Sequence, residues 1–388
     1  MRWQIKQYLP NLMIVALLVV FFPVSAGSAL LEDFISDLDL SNVDGGAPFI
    51  EQVGHLDADL VAPGENISQV YQYGVGNDTT IHQVGEEGFV FVQQDGFDNY
   101  ADISQVSEGT GVDDAVMLFQ VGTSNNAEIA TYGGYGNRVL AKQVGFSNEA
   151  FVDQDGFNHR ALIMQDGNDN LADISQTGSN DTAGIHQIGD HHIAIISQST
   201  GYNTAGILQS GLQNTASIAQ VGEGNRAFIV QAGDGIIAGP EVGEHSHGNS
   251  HNENNGRHYL HCHGPQHACG EDDIIVPNQY NVASATQEGV DNMARIVQRG
   301  EYNEASIEQY GALNQAGIFQ NGSNNEATIY QNGSDNKSSV VQSGTDHSAD
   351  VKLNGNNNTV SITQLGDNRN INVFRNGDNH NVSVIQDH

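Results

Sequence analysis

The run Gln165-Asp166-Gly167-Asn168-Asp169-Asn170-Leu171-Ala172-Asp173-Ile174-Ser175-Gln176 decides the architecture, because its frame returns every eleven residues along most of the chain. The frame reads Gln, any residue, Gly, two of any, Asn, any, Ala, any, Ile, any, and then the next Gln. Its strictest copies are Gln209-Gly211-Asn214-Ala216-Ile218-Gln220, Gln298-Gly300-Asn303-Ala305-Ile307-Gln309 and Gln320-Gly322-Asn325-Ala327-Ile329-Gln331, with Asn314 opening the unit before the last of these. A fixed internal period dictates architecture before other signals are weighed. Followed by Gln alone, the register gives fifteen units from Gln72 to Gln231, an interruption, and ten more from Gln287 to Gln386. Thr131, Leu353 and Arg375 stand in for Gln.

Within a unit Asn, Ala, Ile and Gln fall at alternate positions, which on a strand places all four on one face and the variable residues on the other. Gly and the frequent Asn, Asp and Ser between strands supply the turn. A helix is excluded, since it would need apolar residues at i, i+3, i+4 and i+7 and would not tolerate so many glycines. The fold class is therefore all-β: a β-solenoid of eleven-residue strand-turn half-coils, about 22 residues per coil, with amyloid-like cross-β stacking. One coil buries too little apolar surface to offset its backbone entropy. Stacking coils about 4.8 Å apart pairs every amide with the coil above and below and aligns Asn and Gln into ladders. About twelve coils would rise roughly 60 Å. The residues singled out for stacking are Gln165, Asn170, Gln176, Gln209, Asn214, Gln220, Gln298, Asn303, Gln309, Asn314, Gln320, Asn325 and Gln331.

Composition excludes several classes. The 388 residues include 45 Gly, only 15% charged residues and a formal net charge of −34, so neither a helical bundle nor a nucleic-acid binder fits. Residues 1–29, with Arg2 and Lys6, an apolar stretch from Leu12 to Phe22 and small residues at Val24-Ser25-Ala26 and Gly27-Ser28-Ala29, read as a signal peptide. The alternative is a signal anchor, for which the apolar stretch is short. No further span follows, so no stable membrane span is expected after cleavage. Residues 30–65 are acidic and off the frame. Repeat block 1 covers 66–231, with four extra residues around Gly109 to Asp114 and one extra Gly at 133 and 134. A His- and Cys-rich insert covers 232–278, and repeat block 2 covers 279–388.

The frame resembles the curlin repeat of the curli major and minor fibre subunits, and the resemblance covers most of the chain outside the leader and the insert. It implies a secreted amyloid of a Gram-negative bacterium, an extracellular or cell-surface fibre serving adhesion and biofilm matrix. The implied partners are other copies, other curlin-like subunits, an outer-membrane export pore and periplasmic handling proteins. The chain departs from that pattern in having far more units and in its long insert.

The insert holds His245, His247, His251, His258, His261, His263 and His267 with Cys262 and Cys269. Imidazole and thiolate suit Zn or Cu, although the spacing matches no defined finger. The alternatives are a disulfide between Cys262 and Cys269, which an oxidising compartment allows, and a solvated polar loop. No cofactor is otherwise required. Catalysis is not expected: no Gly-x-Ser-x-Gly elbow occurs, polar residues recur as a lattice instead of converging, and Asp113-Asp114 and Asp272-Asp273 read as solvated turns.

Defects in the inward rows carry information. His159, His192, His347 and His380 replace Asn, as do Asp181 and Arg369. Asp181 should lie one coil from His159 and pair with it when the imidazole is charged, unless these row ends are wet. Arg369, Arg375 and His380 at the C-terminal end oppose identical stacking and should make that end a poor growth face. The outward surface reads as acidic, with few compensating cations, so fibre growth should speed up with salt or divalent cations. The competing reading is a monomeric capped adhesin that holds a surface or a metal.

Overall fold

The computed structural model describes residues 66–85, 88–107, 114–232 and 279–387. The leader, the acidic segment 30–65 and the insert residues 233–278 lie outside them. Twenty-five strands run from β1 (Ile67–Val75) to β25 (Asn381–Gln386) among the described residues. They form two parallel sheets: the odd-numbered strands make one of thirteen strands, and the even-numbered strands make one of twelve. Each coil therefore contributes one strand to each sheet, as a 22-residue period requires. β10 (Leu171–Ser179) pairs with β12 (Ile193–Gly201) so that Ala172 meets Ala194, Ile174 meets Ile196 and Gln176 meets Gln198.

Between the sheets lies a dry core of stacked Ala and branched aliphatic rows. Ile174, Ile185, Ile196 and Ile229 have no exposed surface. The turns stack as well: the Asp169 amide donates to the Phe146 carbonyl of the preceding coil at 2.9 Å. Most turns use a left-handed glycine, with Thr200 at φ 91° in its place at the end of β12, and a second left-handed residue immediately before the Asn. Gly167 sits at φ 138°, where an added Cβ would meet the Gly189 carbonyl oxygen at 1.9 Å, so the glycine is required by the stacking itself. At the second position Asp169 has φ 54° and even Leu313 has φ 58°. The coil above holds the backbone there, because aspartate is common in that region and leucine is not.

The irregularities sit where chain can be added without disturbing a row. The extra residues before Asp114 change the spacing of stacked glutamines to 26, and the extra Gly changes it to 23. Both leave the sheets in register. The two repeat blocks make one stack. β14 (Thr215–Glu223) pairs directly with β16 (Val282–Val290), and β15 (Arg226–Gln231) with β17 (Met293–Glu301). Stacked glutamines across the insert are 67 residues apart in place of the usual 22, and the strands on either side of it stay in register.

Two expectations are corrected here. Asp114 is not on a solvated turn. It occupies the Asn position that opens β5 (Ala115–Thr123) and is buried, with Ser107 Oγ donating to one carboxylate oxygen and the Asn137 amide to the other at 2.7 Å. Nor is the outward surface acidic throughout. On the thirteen-stranded sheet the outward positions alternating with Ala, Ile and Gln carry no Asp or Glu before the Gln on any strand, and the acids concentrate on the twelve-stranded sheet. Phe91, Met117 and Phe119 instead pack against Phe89 and Leu140 outside the thirteen-stranded sheet.

Candidate functional site: the ladder rows and the stack ends

On the thirteen-stranded sheet every strand supplies a Gln to one continuous row. From Gln72 to Gln386 each side-chain amide donates to the Oε1 of the next coil, with distances of 2.7 to 3.0 Å. The second amide hydrogen goes to backbone: Gln165 Nε2 also lies 2.9 Å from the Glu149 carbonyl and 3.0 Å from that of Asn170. Gln165, Gln209, Gln298 and Gln320 belong to this row. Gln176, Gln220, Gln309 and Gln331 belong to the row of the other sheet, which is interrupted. At Thr131 the side chain is too short to bridge, and Gln105 Nε2, Thr131 Oγ1 and Gln154 Oε1 are all buried without a partner. At the far end Gln331 donates to Ser338 Oγ at 2.9 Å instead, because Leu353 follows it in the row and Arg375 comes next.

The Asn rows run with opposite polarity. The amide nitrogen and Nδ2 of Asn303 donate to Asn281 Oδ1 of the preceding coil at 2.9 and 3.0 Å, and Nδ2 also donates to the Gly322 carbonyl at 2.9 Å. Asn214 and Asn325 share that row, as does Asn170, while Asn314 stands in the row of the other sheet. Glutamines thus donate toward the C-terminal end and asparagines toward the N-terminal end.

Three of the four histidines in these rows are not wet, while His380 at the C-terminal end is exposed. His159, His192 and His347 are buried. A neutral imidazole supplies what an Asn supplies: His192 Nδ1 accepts the Asn214 amide at 3.2 Å, and Nε2 lies 3.1 Å from the Ile188 carbonyl, to which it donates. Burial holds His192 below the ordinary imidazole range, which keeps Nδ1 an acceptor. Asp181 does lie one coil from His159, with Nδ1 to Oδ2 at 3.6 Å and both side chains fully buried. Burial pushes Asp181 up to about 6 and His159 down, so the site favours two neutral groups over an ion pair. Asp181 Oδ1 accepts the Asn203 amide and Nδ2 at 2.9 and 3.1 Å, while Oδ2 has no hydrogen-bond partner.

At the ends of the sheets β1 and β2 (Asp78–Val84), like β24 (Asn370–Asn376) and β25, each have a neighbouring strand on one side only among the described residues. The N-terminal end is chemically regular, with Asn66 and Asn77 in one pair of rows and Gln72 and Gln83 in the other. The C-terminal end carries Arg369 and His380 in the Asn rows and Arg375 in a Gln row, and Arg369 Nε lacks a partner. The candidate metal ligands His245, His247, His251, His258, His261, Cys262, His263, His267 and Cys269 lie outside the described residues. Among the described residues no three His, Cys, Asp or Glu side chains converge as a metal site, and no helix is long and apolar enough to cross a membrane.

No curated protein matches the chain. The curlin associated repeat matches residues 134–167, 167–199, 202–233, 289–318, 300–333, 311–344, 322–353 and 333–366. These matches fall on both sides of the insert, on the same Gln, Asn, Ala and Ile rows that stack in the solenoid, and the chain belongs to the curlin associated repeat family.

Proposed function

We propose that the protein is a secreted structural subunit or nucleator of curli-like extracellular amyloid fibres, with self-assembly as its activity and no active site. The observation that carries this reading is the glutamine row from Gln72 to Gln386. It crosses the whole stack without a break and keeps one polarity, so the donor of one copy's last coil faces the acceptor of another copy's first. Strands with an open side at both ends give the backbone the same option. In this reading residues 1–29 direct export, an outer-membrane pore and periplasmic proteins handle the chain, and the fibre works in adhesion and biofilm matrix.

A second reading, a discrete capped adhesin, draws on Arg369 and Arg375, which interrupt the rows at one end. A thioflavin-T time course with fibre diffraction on the mature chain, with and without preformed seeds, separates them. Seeded growth with reflections near about 4.7 Å and about 10 Å is expected. A monodisperse β-rich particle that ignores seeds would replace the fibre with the adhesin.

A further inference from the structure

The two outward faces of the solenoid differ in charge, and they differ coil by coil. Sorted by sheet, the outward positions before the Gln of the thirteen-stranded sheet hold Arg138, Lys142, Arg160, Arg226, Arg295 and Lys337 and no acid. The corresponding positions of the twelve-stranded sheet hold acids such as Glu128, Glu149, Asp153, Asp173, Glu304 and Glu326, with Lys352 as their single cation. A chain with a formal net charge of −34 has therefore kept its outward cations together on one side. The acids on the other side repel one another: burial raises Asp153 and Asp173, and neighbouring carboxylates raise them further.

From β7 to β14 the charged and neutral zones also match in height. β7 (Arg138–Phe146) and β9 (Arg160–Asn168) carry cations in the same coils in which β8 (Glu149–Phe157) and β10 carry acids. β11 (Thr182–Asp190) and β13 (Thr204–Leu212) carry no Lys or Arg, and in those coils β12 and β14 carry no acid at the positions before the Gln. Arg226 on β15 comes next, beside a β16 with no acid at these positions, and charge then stands on both sides together with Arg295 on β17 and Glu304 and Glu308 on β18 (Glu304–Ala312). In the neutral zone Ile193 and Ile195 stand out, 41% and 40% exposed, at the height where the opposite face has glycines, Gly184 and Gly206, at its central outward positions.

We propose that the outward face of the thirteen-stranded sheet docks the outward face of the twelve-stranded sheet of a second copy, side by side, parallel and in register. A simple translation perpendicular to the sheets brings these faces together at equal height. Within a coil the two strands run in opposite directions, so Lys142 would meet Glu149 and Arg138 would meet Asp153 of the neighbour. The contact is heterologous and does not close, so it extends into a layer of filaments. Apolar side chains between the charges, Val230, Val297 and Phe319 among them, give the contact an anhydrous component. The inference rests on the fibre reading for its setting, though the faces belong to a single molecule.

The test compares the mature protein with Lys142→Glu/Arg295→Glu, with Glu149→Lys/Glu304→Lys, and with all four changes in one chain, at about 0.15 M salt. Seeded thioflavin-T growth reads axial assembly, while sedimentation and filament width in electron micrographs read lateral assembly. Each two-site variant should elongate at the unmodified rate and bundle roughly tenfold less. The four-site chain should bundle again. The two-site variants move net charge in opposite directions, so a shared loss cannot come from net charge. Circular dichroism checks folding, and the neutral pairs Lys142→Gln/Arg295→Gln and Glu149→Gln/Glu304→Gln replace any variant that fails it. Bundling that persists in both two-site variants, or that the four-site chain does not regain, overturns the proposal. If the unmodified protein forms no fibres, the fibre reading fails alone. Sedimentation equilibrium of the discrete particles then decides: association that is lost and regained in the same pattern upholds the lateral contact, and a monodisperse unmodified particle overturns it.

Discussion

A histidine can take an asparagine's place in a stacked row because its two ring nitrogens reproduce the amide's acceptor and donor, provided it stays neutral. An aspartate reproduces only the acceptor. At Asp181 one carboxylate oxygen does the work of an Asn oxygen toward Asn203, while the other is buried 3.6 Å from His159 Nδ1 with nothing to accept from. Burial lifts the folded pKa to about 6, above the ordinary carboxylate value, so between about pH 4 and pH 6 the folded chain holds a proton that the unfolded chain has released. Stability is therefore lost as pH rises through that window, and the full cost, on the order of 3 kcal/mol, is present at pH 7. Asp181→Asn removes the titrating group, keeps the acceptor and turns an amide donor toward His159. It is expected to raise the urea midpoint at pH 7 by an amount that fades toward pH 4. An equal gain at both values would mean that the carboxylate is not desolvated. His159, pushed down by burial, contributes with the opposite sign, its stability being lost as pH falls below about 6.5, and it is present in both proteins compared.

The half-coil is the element, and its defects are not shared evenly between the two sheets. The thirteen-stranded sheet keeps glutamine in all its strands, whereas Thr131, Leu353 and Arg375 all fall on the other. Thr131 leaves three buried polar groups unpaired, and a glutamine there would accept from Gln105 and donate to Gln154 in the geometry used everywhere else in the row. Thr131→Gln is expected to stabilise the fold by about 1 to 3 kcal/mol, two hydrogen bonds at the ordinary net value. Slower amide exchange should be confined to β4 (Tyr100–Val106), β6 (Asn126–Tyr132) and β8, and unchanged exchange there would show that water already fills the gap. Strands, inward rows and coil length were legible from the eleven-residue frame because alternation and period are local properties of sequence. The role of Asp114 was not, since four extra residues displaced the frame and hid that it stands six residues before Gln120 as Asn170 stands before Gln176. The left-handed residue before each Asn was not legible either, because stacking, not residue type, imposes it on Leu313 and Tyr302. Charge segregation between the faces was present in the sequence as a 22-residue period, which reading every unit alike averages away.

For the whole molecule the question is whether a stack this regular stops. Its rows are directional, so the two ends are different surfaces and growth at each is a separate rate. In head-to-tail growth every new junction sets one copy's C-terminal coil on another's Gln72, Asn66 and Asn77, whichever end of the filament grows. Each junction therefore covers Arg369 and Arg375, placing guanidinium groups where the rows elsewhere hold neutral amides. Covering an uncompensated charge costs on the order of 1 to 3 kcal/mol, which corresponds to roughly tenfold or more in the addition equilibrium. His380 adds less, since its Nδ1 can accept an amide as His192 does, and Gln386 continues its own row. The unmodified protein should therefore stop elongating at a soluble concentration roughly tenfold or more above that of Arg369→Asn/Arg375→Gln, read by sedimentation of seeded samples at plateau. If the unmodified chain is instead a discrete particle, the same two substitutions should convert it into a fibre, because they remove the charges from the only rows that end in arginine. A residual soluble concentration that the substitutions leave unchanged would show that the arginines turn outward on contact and that the stack has no cap at all.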